Sequence, residues 1–152
     1  MTLRKQFYSR NKITLGKEAY KKLKEATINV YPDEACGILI GDEGRSYIME
    51  IWPMGNKTEG NPHRFFRADP LELYYLELRA EKEGKQILGF YHSHPDTPAE
   101  ISLEDEKYML PGVIHMILSV NHGMVGKIEG YQKEGPEDKR TEIEVELEEK
   151  TP

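Results

Sequence analysis

The chain of 152 residues contains a single cysteine, Cys36, so it cannot form an intramolecular disulfide. A cysteine-rich zinc site is excluded for the same reason, and any metal would have to be bound by histidines and carboxylates. A zinc deaminase is also excluded, because that chemistry uses a Cys-x-x-Cys pair. We expect Cys36 itself to be a small buried side chain rather than a nucleophile.

Long hydrophobic runs and an excess of positive charge are missing as well. No apolar stretch approaches the about 20 residues of a membrane-spanning helix, and no apolar segment follows the basic N-terminus, so a cytoplasmic protein is expected. The net charge is −6, whereas a nucleic-acid binder normally presents a basic face. Hydrophobic residues make up 38% of the chain, which suits one core and a single domain over residues 1–152.

Three segments have the sequence features of helices. Apolar residues recur at helical spacing near residues 15–28. A second helix is predicted to begin at Asp69-Pro70 and to end before Gly84, and Ser102 is a good N-cap for a third, up to Leu110. The apolar stripe predicted for the second helix consists of Leu71, Tyr74, Tyr75 and Leu78.

Other segments are typical of strands, because they are either continuously apolar or alternate between apolar and polar residues. They cover residues 36–41, 47–52, 86–91, 113–120, 124–132 and 141–147. The pattern predicts an α+β fold with a single mixed sheet of about six strands packed with about three helices.

The residues that are most informative about function lie just after the predicted strand 86–91. His92 and His94 are two residues apart, so in a strand their imidazoles leave the same face and can converge on one ion. Asp105, in the first turn of the third helix, can face back and offer a third ligand. Two histidines and one carboxylate, with a fourth position left for water, are typical of a catalytic zinc site.

Less specific interpretations remain open on these residues alone. A His-x-His pair also occurs on surfaces without any metal. Ser102 with Asp105 fits an ordinary helix cap followed by an acidic third residue, and Glu34 fits an exposed acid.

Two segments resemble the JAMM (MPN-plus) metalloprotease family. The pattern His92-Ser93-His94-Pro95, six residues, Ser102, two residues and Asp105 is similar to the family signature without a gap or substitution. Upstream, residues 34–41 keep the order E-x-C-G-x-L-x-G of the family's glutamate-bearing segment. The resemblance extends over about residues 14 to 132 and implies the MPN-type, cytidine-deaminase-like fold.

The resemblance also implies a role for each matched residue. His92, His94 and Asp105 would bind a single zinc ion. Glu34 would take a proton from the zinc-bound water and pass it to the leaving amine. Ser102 would stabilise the oxyanion of the tetrahedral intermediate.

The remaining conspicuous residues are expected to be structural or solvated. Ser93 would point away from its histidine neighbours and serve packing. His115 and Trp52 are expected in the core, and His63 and His122 in polar loops.

What the family does implies a substrate class. Members cleave peptide or isopeptide bonds that follow the C-terminal glycines of ubiquitin-like proteins, and this compact chain resembles the branch that acts on sulfur carriers. The segment 61–69 is loosely similar to that branch, and Arg64 and Arg67 within it are candidates for holding acidic groups of the partner. The carrier's tail would add as a strand beside an exposed edge, and its glycines would suit a narrow cleft.

Three other function classes are weighed against this one. A deubiquitinase-like isopeptidase acting on protein conjugates would use the same residues, although the short interval from Pro95 to Ser102 leaves no room for a long insertion. A catalytically silent MPN scaffold would lack the metal, and the presence of all five functional residues counts against it. A DNA-repair-associated relative would carry a glycine after the His-Pro step, where this chain has Asp96.

Overall fold

A computed structural model describes residues 11–56, 69–107 and 109–148. Seven strands and three helices lie within these ranges. In chain order they are β1 Lys12–Leu15, α1 Lys17–Val30, β2 Cys36–Asp42, β3 Tyr47–Met54, α2 Pro70–Glu83, β4 Gln86–Pro95, α3 Leu103–Lys107, β5 Ile114–Asn121, β6 Met124–Gln132 and β7 Thr141–Leu147.

The strands form one mixed sheet that closes on itself in the order β1-β3-β2-β4-β5-β6-β7. The pairs β4–β5, β1–β3 and β1–β7 are parallel, and the remaining neighbours are antiparallel. The predicted mixed sheet with three helices is confirmed for the described residues. The predicted strand number was wrong, because the sheet has seven strands rather than about six, and its closure into a barrel was not predicted.

The strand missed in the sequence is β1, and the same strand closes the barrel. With four residues it is too short to show a convincing alternation, and its last residue, Leu15, falls into the helical spacing of α1. Its partner β7 comes from the opposite end of the chain, with Lys12 beside Glu144 and Leu15 beside Leu147. Such a long-range pairing leaves no local signal in the sequence.

The central strands β2 and β4 are buried on both faces, which explains their nearly continuous apolar sequences. On one face, Leu39 and Tyr91 pack in a core cluster with Ala19 and Leu23 of α1. On the other face, Ile38, Ile40 and Ile87 pack with Trp52 and with α2 in a second cluster. The strand that carries His92 and His94 is therefore packed on both of its faces.

The ends of α2 follow from local backbone chemistry, as predicted. The carboxylate of Asp69 accepts a hydrogen bond of 2.9 Å from the backbone N–H of Leu71. Gly84 adopts φ +67°, the left-handed conformation that ends many helices. The third helix is shorter than predicted, since α3 ends at Lys107 and not at Leu110.

The predicted apolar stripe of α2 was wrong, because that face of the helix is turned to solvent. Its members are 43 to 60% exposed: Leu71, Tyr74, Tyr75 and Leu78. The helix instead packs Ala80, Leu73 and Leu76 against the second cluster. Two apolar sets at helical spacing compete on this helix, and the set with the smaller side chains is the one that fits against the sheet.

Among the described residues, no helix is both long and apolar enough to span a membrane.

Gly37 in β2 is expected to tolerate no side chain. A Cβ at this position would lie 2.5 Å from the backbone oxygen of Trp52 and would overlap the ring of Tyr91. We expect Gly37→Ala to lower the free energy of unfolding by about 1–3 kcal/mol, because the backbone oxygen cannot rotate away. Urea denaturation measures this, with Gly44→Ala as the control, since a Cβ there would meet only Asp42 at 3.4 Å. Equal stability of the two variants would contradict the packing described for β2.

Candidate metal centre

The two histidines of the His-Ser-His stretch converge on one side of β4. This strand is hydrogen-bonded to β2 on one side and to β5 on the other, with His92 opposite Cys36 and Ile117. Both rings are buried, and the Nε2 atoms of His92 and His94 are 3.2 Å apart. The strand alternation expected from the sequence is therefore what aims both imidazoles at the same point.

Asp105 approaches the same point from the start of α3. Its Oδ2 atom lies 3.0 Å from Nε2 of His92 and 2.9 Å from Nε2 of His94. The helix cap holds it there, because the backbone N–H of Asp105 donates to Oγ of Ser102 at 2.9 Å and the backbone N–H of Ser102 is 3.4 Å from Oδ2. The cap and the ligand interpretations of these two residues are thus compatible.

Glu34 completes the group from the segment between α1 and β2. Its side chain is 3% exposed and offers a carboxylate oxygen within 4.8 Å of ring nitrogens of His92 and His94. Oε2 of this carboxylate is buried and has no hydrogen-bond partner among the described residues. A buried polar atom in this position calls for a bound water or ligand.

The orientation of His94 shows why a cation suits the centre. Its Nδ1 lies 2.8 Å from the backbone oxygen of Pro98, which can only accept, so Nδ1 must donate. In the neutral ring, Nε2 then carries a lone pair that faces the Oδ2 atom of Asp105. Two acceptors at this distance repel each other unless a proton or a cation lies between them.

The spacing of the three ligand atoms also fits zinc. Ligand atoms of a tetrahedral zinc ion lie about 3.3 Å apart, given bonds of about 2.0–2.1 Å. The three separations between His92, His94 and Asp105 are 3.2, 3.0 and 2.9 Å. Two nitrogens and one carboxylate oxygen are the donor set of an open zinc site. Their role as metal ligands stays a prediction.

The pKa values of the three side chains are shifted in different directions. Burial lowers the pKa of His92 below its ordinary value. Burial also acts to lower the pKa of His94, but hydrogen bonds with Asp105 and Pro98 outweigh it and raise the pKa. Burial acts to raise the pKa of Asp105, and the hydrogen bonds with both histidines outweigh it, so this pKa lies well below its usual range. The carboxylate of Asp105 is therefore ionised at neutral pH.

The pKa of Glu34 is shifted in the opposite direction to that of Asp105. Burial raises the pKa of its carboxyl to about 8, against the opposing charge of His94 and with a contribution from Asp105. A carboxyl that exchanges its proton near neutral pH is suited to general acid–base catalysis. Two carboxylates in one site are thus pushed toward different protonation states.

Several other residues singled out in the sequence are not part of this group of side chains. Cys36 is buried, and burial raises the pKa of its thiol to about 12, so it stays protonated. His115 is partly buried, and its Nε2 lies 3.1 Å from both the backbone N and O of Leu110. His122 is exposed, as expected. His63, Arg64 and Arg67, with nearly all of the segment 61–69, lie outside the described residues.

Two contributions to the centre were missed in the sequence. The carbonyl of Pro98 orients His94, and a backbone oxygen leaves no signal in residue identity. Ser93 was assigned to packing, yet its hydroxyl accepts a hydrogen bond of 2.8 Å from the backbone N–H of Ala35. Strand alternation indicated where the Ser93 side chain points but not which atom it meets.

Comparison with known proteins defines the family. The family model described as prokaryotic homologues of the JAB domain matches residues 17–132, and the chain belongs to this family. The JAMM resemblance read from the two motifs is thereby confirmed.

Among three curated relatives, one is named a desampylase, one a peptidase and one a protease. A desampylase of Haloferax volcanii is 28% identical over 116 residues, which cover 76% of this chain and 80% of that protein. A CysO-cysteine peptidase of Mycobacterium tuberculosis is 35% identical over 88 residues, 58% of this chain and 59% of the relative. A probable TtuB-protein conjugate cleaving protease of Thermus thermophilus is 33% identical over 86 residues, 55% of each chain. The predicted enzyme class, a JAMM-type peptidase, is confirmed at this level.

A solved structure supports the fold assignment. The crystal structure of a JAB1/MPN domain protein from Archaeoglobus fulgidus has a TM-score of 0.55 at 21% identity, covering 90% of this chain and 97% of that one. The MPN-type fold implied by the sequence motifs is confirmed.

The raised pKa of Glu34 predicts a specific pH dependence of stability in chelator-treated protein. The folded state binds this proton more tightly than the unfolded state, whose carboxyl titrates near 4.5. The contribution of Glu34 to the free energy of unfolding therefore falls as pH rises from about 4.5 to about 8. Since Glu34→Gln removes this titration, we expect the variant to gain stability relative to the wild type as pH rises across that window. Urea unfolding at several pH values tests this, and parallel profiles for the two proteins would contradict the shift.

Proposed function

We propose that this chain is a zinc-dependent hydrolase that cleaves a peptide or isopeptide bond after the C-terminal Gly-Gly of a ubiquitin-like protein, specifically a sulfur carrier. The observation that carries the proposal is the convergence of His92, His94 and Asp105 within 3.2 Å of one another. The buried carboxylate of Glu34 beside them supplies a group that can move a proton. These are the parts that amide hydrolysis requires.

Each residue has a distinct part in the proposed reaction. His92, His94 and Asp105 would hold a single zinc ion, which would supply Lewis acidity to the reaction. Glu34 accepts the proton of the attacking water and delivers it to the leaving amine. Oγ of Ser102 accepts from the N–H of Asp105, which leaves its own O–H to donate to the oxyanion of the intermediate.

The proposed substrate class rests on the names of the relatives and on the chemistry of a Gly-Gly tail. One relative is named for the CysO-cysteine substrate and another for TtuB–protein conjugates. Two glycines allow an extended tail to approach the centre closely, and the tail would add as a strand beside an exposed edge. Arg64 and Arg67 remain candidates for holding acidic groups of the carrier, and a cytoplasmic location is part of the proposal.

A second candidate function is an isopeptidase that acts on protein conjugates, which the name of the Thermus relative favours. The same residues would serve it, so the two candidates differ in the leaving group rather than in the chemistry. Carriers extended past Gly-Gly by a single amino acid, by a peptide or by an isopeptide-linked protein distinguish them by relative kcat/KM.

The metal assignment is tested by replacing one proposed ligand. We expect the purified wild type to contain about one zinc per chain and His94→Ala to lose nearly all of it, because two remaining ligands bind zinc weakly. Elemental analysis measures the content. The control is His122→Asn, which alters an exposed histidine at φ +51° that asparagine tolerates. Equal zinc in wild type and His94→Ala would rule out this centre.

The role of Glu34 is tested by a variant that keeps the shape of the side chain. We expect Glu34→Gln to retain zinc and to lower kcat about 10²–10⁴-fold on a carrier extended past Gly-Gly, because only proton transfer is lost. The control is Glu43→Gln, which changes another buried acid at the far end of β2. Near-normal turnover by Glu34→Gln would mean that another group is the base, and activity that survives chelation would overturn the zinc mechanism.

A further inference from the structure

Ser93 lies between the two histidines of β4 and makes a pair of hydrogen bonds on the side away from them. Its side chain is fully buried. The backbone N–H of Ala35 donates to Oγ of Ser93 at 2.8 Å, and the backbone N–H of Ser93 donates to the carbonyl of Ala35 at 3.0 Å. Both main-chain polar groups of the residue that follows Glu34 are thus bound by one serine.

This pair of contacts continues the β2–β4 ladder beyond its last regular position. Cys36, the first residue of β2, is paired with His92, so Ala35 and Ser93 would be the next antiparallel pair. In a regular hydrogen-bonded pair, the N–H of Ala35 would donate to the carbonyl of Ser93. Here the serine hydroxyl takes that place, and the chain can turn toward Glu34 without losing a bond.

A second hydrogen-bonded contact holds the beginning of the segment 31–35. The phenolic O–H of Tyr31 donates to Oδ2 of Asp96 at 2.7 Å, and Oδ1 of Asp96 accepts from the backbone N–H of His122 at 2.8 Å. Asp96 directly follows β4. The segment 31–35 is therefore bound to the histidine-bearing strand before and after Glu34.

We propose that Ser93 is a positioning residue whose hydroxyl fixes the main chain at Ala35 and thereby sets the distance between the Glu34 carboxylate and the two histidines. The inference rests on the proposed function. A general base must lie within hydrogen-bond reach of the proton it takes, and a displacement of about 1 Å costs about 10²-fold in rate. Without the hydroxyl, the buried N–H of Ala35 has lost its acceptor, so the segment shifts to find another.

The test compares Ser93→Ala in two backgrounds. In the wild type, we expect Ser93→Ala to keep its zinc and its KM and to lower kcat about 10-fold or more. In Glu34→Gln, no base remains to be positioned, so the same change should alter the residual kcat less than about twofold. Ser93→Thr, which restores a hydroxyl, should recover most of the lost kcat.

Ser119→Ala is the matched control. Ser119 is a buried serine on β5 whose Oγ accepts from the backbone N–H of Lys127 at 2.9 Å, which ties β5 to β6 instead of to the Glu34 segment. We expect a similar drop in thermal stability with kcat unchanged. If Ser93→Ala fails to fold, Ser93→Cys, which keeps the size with a weaker acceptor, should show an intermediate loss of kcat.

The outcomes separate the inference from the function on which it rests. Wild-type protein without hydrolysis, or Glu34→Gln as active as wild type, would defeat the proposed function. If those two behave as expected, an unchanged kcat in Ser93→Ala, or in Ser93→Cys should Ser93→Ala not fold, would overturn the positioning role alone. An equal fold-loss of kcat in both backgrounds, or a loss that follows zinc content, would also overturn it.

Discussion

Three atoms that can each donate an electron pair, Nε2 of His92, Nε2 of His94 and Oδ2 of Asp105, lie within 3.2 Å of one another in the site. His94 must donate through Nδ1 to the carbonyl of Pro98, so in the neutral ring its other nitrogen presents a lone pair to an ionised carboxylate 2.9 Å away. In a buried site such an arrangement is unfavourable unless a positive charge lies at its centre. This geometry is the ground on which we propose that His92, His94 and Asp105 bind a cation.

The barrel keeps these donors together despite that repulsion. The histidines are carried by β4, which is bound on both edges and buried on both faces. Asp105 comes from a short helix whose position is set by its Ser102 cap. Sites that are built on fixed elements hold their side chains more accurately than sites on loops. Glu34 is the exception, because it lies between α1 and β2, and the bonds of Ser93 and Tyr31 compensate for this.

Much of the centre could be predicted from the sequence because local rules govern it. The alternation of a strand explains why residues 92 and 94 face one point, and a helix cap explains why Asp105 is held three residues after Ser102. The pairing of β1 with β7 could not be predicted, since it joins the two ends of the described chain through a strand of four residues. The face of α2 was predicted wrongly because two apolar sets on that helix have similar spacing, and only the shape of the sheet selects between them. The hydrogen bond from His94 to Pro98 involves a backbone oxygen, which no residue type reveals.

Anomalous diffraction from a crystal of the purified protein, measured at the zinc absorption edge, shows directly whether these three side chains bind zinc. We predict one strong anomalous peak at about 2.0–2.1 Å from Nε2 of His92, Nε2 of His94 and Oδ2 of Asp105, with a fourth position open to solvent. A peak on other side chains, or no peak together with imidazoles of His92 and His94 that point away from each other, would contradict this prediction.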